Sequence, residues 1–150
     1  PELNLGLEIA QLSQRALDAL IKRCGLDEGC NGAFPNLRAG VDRLIQDLKA
    51  KAIAIEYEDV QAGQNTQQDF GIMQLAVVIR LSLYQDELSA LLPVMLHEAY
   101  ANDNFAPLAR SAALFSKKMQ HGMHLGMHNS VVCAEDFAYY SENQGREQGN

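Results

Sequence analysis

Two neighbouring carboxylates, Glu135 and Asp136, follow directly on a short apolar run, Ser130-Val131-Val132-Cys133-Ala134. The run reads as a short β-strand near 130–134. Carboxylates at the C-terminal end of a strand often face a site, where they can bind an amine or orient a second group. The plainer alternative is a solvated turn after a strand. Three histidines, His121, His124 and His128, are spaced H-x2-H-x3-H, which on one continuous helix would put them on one face in a possible metal arrangement. Gly122 and Gly126 lie among them and argue against one long rigid helix. Met119, Met123 and Met127 interleave with them, so the segment reads as adaptable packing against a partner surface, and no metal is assigned to it. His97, beside the apolar face of a helix, reads as a core or surface histidine.

Nucleophilic catalysis finds no footing. The hydrolase pattern G-x-S-x-G does not occur, so a complete Ser-His-Asp triad cannot be assembled from this chain. The phosphate-cradling patterns G-x-x-x-x-G-K and G-x-G-x-x-G do not occur either, and no cofactor is expected. Of three cysteines, Cys24 and Cys30 sit in a glycine-flanked segment between two helical patterns. A disulfide there would staple one helix end to the next helix, contribute about 2–3 kcal/mol if unstrained, and imply an oxidising compartment. Two independent thiols in a reducing compartment are the alternative. The spacing is not that of a zinc site, since neither a C-x-x-C pair nor a second pair is present. Cys133 reads as a buried apolar cysteine.

The elements that must position these residues are mostly helical. Leu17, Leu20, Ile21 and Cys24 follow the i, i+3, i+4, i+7 rule, which predicts a helix over about 6–24, stopped by Gly25. Pro35 is placed to open a second helix, striped by Leu37, Val41, Leu44, Ile45 and Leu48. At 53–58 the period changes to two: Ile53, Ile55 and Tyr57 alternate with Ala54, Glu56 and Glu58, a half-exposed strand. A turn region around Gly63 leaves room for a returning strand. Thr66-Gln67-Gln68-Asp69 has the form of an N-cap and acidic first turn for a third helix over about 67–84, apolar nearly all round and therefore central. Arg80, its one base, would want a carboxylate if buried. A fourth helix over about 87–101 is capped by Asp86 and interrupted by Pro93, which should kink it. Asn102-Asp103-Asn104 is a break. A fifth helix follows over about 105–120. The expected fold is mainly α: a compact bundle of about five helices, with a short β-strand or hairpin near 53–65 and a short strand near 130–134. Residues 1–140 form one helical domain, and 141–150 a polar, frayed tail.

Composition agrees with one globular unit. The chain has 150 residues, 47% of them hydrophobic, and 19 acids against 12 bases give a net charge of −7. An acidic balance without a basic run argues against nucleic acid and against anionic lipid surfaces as partners. No apolar run reaches the roughly 20 residues of a membrane span. The chain opens Pro1-Glu2-Leu3-Asn4, without a basic leader, and reads as a processed or cut piece of something longer.

Three ordered segments carry a resemblance. The first is Cys24-Gly25-Leu26-Asp27-Glu28-Gly29-Cys30 with Ala33-Phe34-Pro35-Asn36-Leu37. The second is Leu81-Ser82-Leu83-Tyr84, Leu91-Leu92-Pro93 and 102–108. The third is Met123-His124-Leu125 with 130–136. In this order, over roughly residues 8–137, the chain resembles the lid insertion of secreted α/β-hydrolases of the tripeptidyl aminopeptidase and proline iminopeptidase type. The resemblance implies a lid that roofs an active site, excludes water and shapes the substrate pocket. The serine of the triad would lie upstream and the acid and histidine downstream, so this chain alone would be inactive. It further implies that Cys24 and Cys30 form the lid disulfide, and that Glu135 and Asp136 are the candidates for holding a substrate's free amino terminus. The partners would be the catalytic domain of the parent chain and a peptide or ester substrate, in a periplasmic or secreted setting. The tail after Phe137 departs from the family by turning polar. A lid must leave one apolar face for its catalytic domain, and in isolation that face should drive weak self-association. The rival readings are a free-standing α-helical periplasmic interaction module without activity and a small metal-binding helical protein.

Overall fold

Leu17, Leu20, Ile21 and Cys24 are all buried, and they bind the first helix to the rest of the molecule along the stripe that their spacing predicts. The computed structural model describes residues 5–59, 63–122 and 124–135, and their order is seven helices and one antiparallel hairpin. Helix α1 covers Leu5–Leu26, so Gly25 does not end it; the chain turns at Asp27 instead. The Asp27 carboxylate accepts the Cys30 N–H at 2.7 Å and opens the short helix α2, Glu28–Ala33. A disulfide joins Cys24 to Cys30 across this junction. Helix α3 covers Leu37–Ala50 and begins two residues after Pro35, because Asn36 enters the left-handed region (φ 58°) and sets the chain direction there. Its buried stripe is Leu37, Val41, Leu44 and Leu48.

Strand β1, Ile53–Asp59, pairs antiparallel with β2, Gln64–Phe70, from Ile53↔Phe70 to Asp59↔Gln64. Gly63, at φ 64°, occupies a backbone region open mainly to glycine in the turn that joins them. The helix expected over 67–84 is therefore shorter. Residues 66–70 carry an N-cap pattern, but each finds a partner on β1, and the paired backbone outweighs a local cap signal. Helix α4, Ile72–Ser82, starts only after Gly71, whose N–H donates to the Gln74 side-chain oxygen at 3.1 Å. Helix α4 packs against α1, α3, α5 and α6 and holds the centre through Leu75, Val78 and Ile79. Arg80 points outward and is exposed, so it needs no buried carboxylate.

Helix α5, Asp86–Asn102, runs through Pro93, which is buried along with Leu92, Met95, Leu96 and Ala99. Gln85 rather than Asp86 is the N-cap residue. Helix α6, Ala106–Gly122, lays Leu108, Ala109, Ala112 and Phe115 on α4 and β1. Helix α7 covers Leu125–Glu135. The expected strand near 130–134 is thus a helix. A helix satisfies the backbone of this segment internally, without a partner strand. Cys133, expected to be buried, is an exposed free thiol. Helices α2 and α7 are the two that raise the expected five to seven.

Helices α3 and α5 meet at Gly40. A Cβ there would fall 2.5 Å from Cζ of Tyr100, whose hydroxyl donates to the Pro35 carbonyl at 3.5 Å. Gly40→Ala is expected to destabilise by about 1–2 kcal/mol as overpacking displaces the ring. Chemical denaturation of Gly40→Ala in the Tyr100→Leu background tests this: the penalty should shrink when the ring is gone.

Candidate functional site

Glu135, singled out for chemistry, ends α7, the least embedded element described. Among its described side chains only Val132 is even half-buried. Met127 is 72% exposed and Val131 47% exposed. Met127, Val131 and Glu135 follow one another at i, i+4 and i+8, and so share one face of the helix. An apolar stripe therefore ends in a carboxylate. Leu114 and Met119 of α6 are also exposed large apolar side chains.

Glu135 ends a helix rather than a strand, which changes its electrostatics. The C-terminus of a helix carries partial negative charge, so a carboxylate there is poorly placed unless a cation approaches it. Among the described residues Glu135 has no ion-pair partner. Asp136 lies outside the described residues, as does Met123 in the run of methionines and histidines. His124 and His128 are exposed; α6 ends at Gly122, as that glycine suggests, whereas Gly126 lies inside α7. Among the described residues no three His, Cys, Asp or Glu side chains stand close enough to hold a metal ion. His97 is half-buried between aromatic rings, 5.4 Å from Phe34 and 5.2 Å from Tyr100, and serves packing between α2 and α5.

A polar cleft of about 720 Å³ opens elsewhere, between the hairpin and the α5–α6 connection. Glu56, Asp69 and Asp103 line it together with Lys51, Asn104 and Phe105. The sequence gives no warning of it, because Asp69 reads there as the first turn of a helix and not as part of β2. The connection itself is well built. Asp103 takes a left-handed conformation (φ 53°). Glu98 accepts hydrogen bonds from the side-chain amides of Asn102 (2.8 Å) and Asn104 (3.0 Å). The Asn104 side-chain oxygen in turn accepts the Ala106 N–H at 3.3 Å and starts α6.

The bond from Asn104, then that from Asn102, with a smaller contribution from nearby His97, holds the Glu98 carboxyl below its ordinary 4.5. A depressed folded-state value means that the ionised form stabilises the fold above 4.5 and that this contribution disappears as the pH falls through the folded-state value. Thermal melts taken downward through that range should show a drop in stability that is smaller in Glu98→Gln. An equal drop in both proteins would assign the acid sensitivity to other groups.

Compared with known proteins, the chain matches no family model, no curated protein and no solved structure.

Proposed function

We propose that the chain is the substrate-gating lid of an α/β-hydrolase-fold serine hydrolase, aminopeptidase- or esterase-like, and that it carries no catalytic triad of its own. The observation that carries this reading is α7: an exposed apolar face through Met127 and Val131, ending in Glu135, on a helix that buries none of its described side chains. Exposed apolar patches of this kind mark surfaces that meet another body. In a lid, α7 would lie over the substrate entrance of the catalytic domain. Glu135, with Asp136 next to it in sequence, would hold the ammonium group of a peptide, and the helix end would add to that attraction. The disulfide between Cys24 and Cys30 supports a periplasmic or secreted setting, where such bonds persist.

Amide hydrogen exchange tests the reading. The gene product purified from its natural source should protect the amides of α7 strongly, while the 150-residue chain leaves them fast. Equal, fast exchange in both would contradict a lid and favour the free-standing helical module, whose partner is another molecule. The separate chain should also self-associate weakly through the same face. Sedimentation at rising concentration should show a dimer that Val131→Asp abolishes, and a strict monomer at high concentration would count against the docking face.

A further inference from the structure

Helices α1, α3 and α4 leave a trough of about 420 Å³ between them. Its floor is apolar, with Leu17, Leu75 and Ile79 buried, and its sides are the half-buried Ile9, Ile45 and Ile72. Ala76, exposed and short, keeps it open. Ala10, Ser13 and Gln14 of α1 and two cations, Lys49 and Arg80, complete the lining. No residue of α5, α6 or α7 takes part.

The lining carries two cations and no carboxylate, whereas Glu56, Asp69 and Asp103 line the cleft beside the hairpin. Lys49 and Arg80 have no ion-pair partner among the described residues, in a chain whose acids outnumber its bases. Lys49 stands one residue before the end of α3, and Ile72 begins α4. The two chain ends come together at the base of the hairpin, where Ile53 pairs with Phe70. Lys49 is thereby placed towards the Ile72 end of the trough. Arg80 lies eight residues further along α4, which is about 12 Å of helix. An apolar channel of ligand size with a few fixed polar groups is the usual form of a small-molecule site. Here the charged groups are both positive, with the neutral Ser13 and Gln14 beside them.

We propose that this trough binds a single-chain amphiphile with a carboxylate head, the alkyl chain lying on Leu17, Leu75 and Ile79 and the head meeting Arg80. A guanidinium takes a carboxylate through two parallel hydrogen bonds, which an ammonium cannot match, and this favours Arg80 over Lys49 for the head. Lys49, about 12 Å from Arg80, lies beside the tail rather than the head and contributes little. The site is independent of the lid reading, since it shares no residue with the α7 face.

Isothermal titration of the full chain with decanoate, kept below its micelle-forming concentration, tests the proposal. Saturable binding at one site is expected, with decanol, which has the chain but not the charge, binding at least tenfold more weakly. Arg80→Gln should weaken decanoate about tenfold and Lys49→Gln less, and Ala76→Phe should abolish binding by filling the trough. All three positions are exposed, so the variants should keep the helical far-ultraviolet signal of the parent. No saturable binding of decanoate, equal affinity for decanol, or unchanged affinity in Arg80→Gln and Ala76→Phe would overturn it.

Discussion

Replacing Phe70 by alanine should lower the stability of the chain by about 3–5 kcal/mol, the range for truncating a fully buried aromatic side chain. Phe70 is 0% exposed. It closes the hairpin opposite Ile53, and its ring lies 6.1 Å from that of Phe105 at the start of α6. The side chain therefore ties the hairpin to the helical layer, and its removal opens a cavity at the junction of β1, β2 and α6. Urea denaturation followed by far-ultraviolet circular dichroism measures the effect. A loss below about 1 kcal/mol would mean that the site collapses freely around the missing ring, and that the hairpin is not fixed to the helices as described.

The second large effect belongs to the disulfide. Opening it, by reduction or in Cys24→Ala with Cys30→Ala, is expected to cost about 2–3 kcal/mol, because the unfolded chain regains the freedom of the loop it closed. The loop is short, with a sequence separation of 6, which keeps the effect at the lower end for disulfides. Cys24 lies on the buried stripe of α1, whereas α2 places no residue in the core. Reduction should therefore loosen α2 first, and exchange of its amides should quicken before that of α1. If the denaturation midpoint is the same with and without reductant, the bond is not a structural one.

Helical periodicity carried most of the fold. The stripes on α1 and α3 are visible in the chain and mostly buried as their spacing implies, with Ile45 half-buried, and in the alternation at 53–57 Ile55 and Tyr57 are buried and Ile53 half-buried. Two segments escaped that reading for related reasons. Residues 66–70 look like a helix start, yet they pair with a strand that lies before them in sequence, and a cap signal is local where pairing is not. Val131, Val132 and Cys133 look like a strand, but the same apolar residues form a helix, whose backbone is satisfied within the segment. That second difference moves Glu135 from a strand end to a helix end and turns Met127 and Val131 into its neighbours on one face. The disulfide was legible only as one of two alternatives until the resemblance to hydrolase lids pointed to the pair. The trough beside Arg80 was not legible at all. Its floor reads simply as core, and a cation next to an apolar stripe gives no sign that three helices stop short of closing over it.

The central claim is that this chain roofs the active site of a catalytic domain carried on the same polypeptide. Reading the coding sequence on both sides of the segment tests it most directly. An in-frame G-x-S-x-G upstream, with an aspartate and a histidine of the triad downstream, is the expected result. A start codon immediately before Pro1 and a stop codon immediately after Asn150 would remove any triad from the polypeptide and contradict the claim.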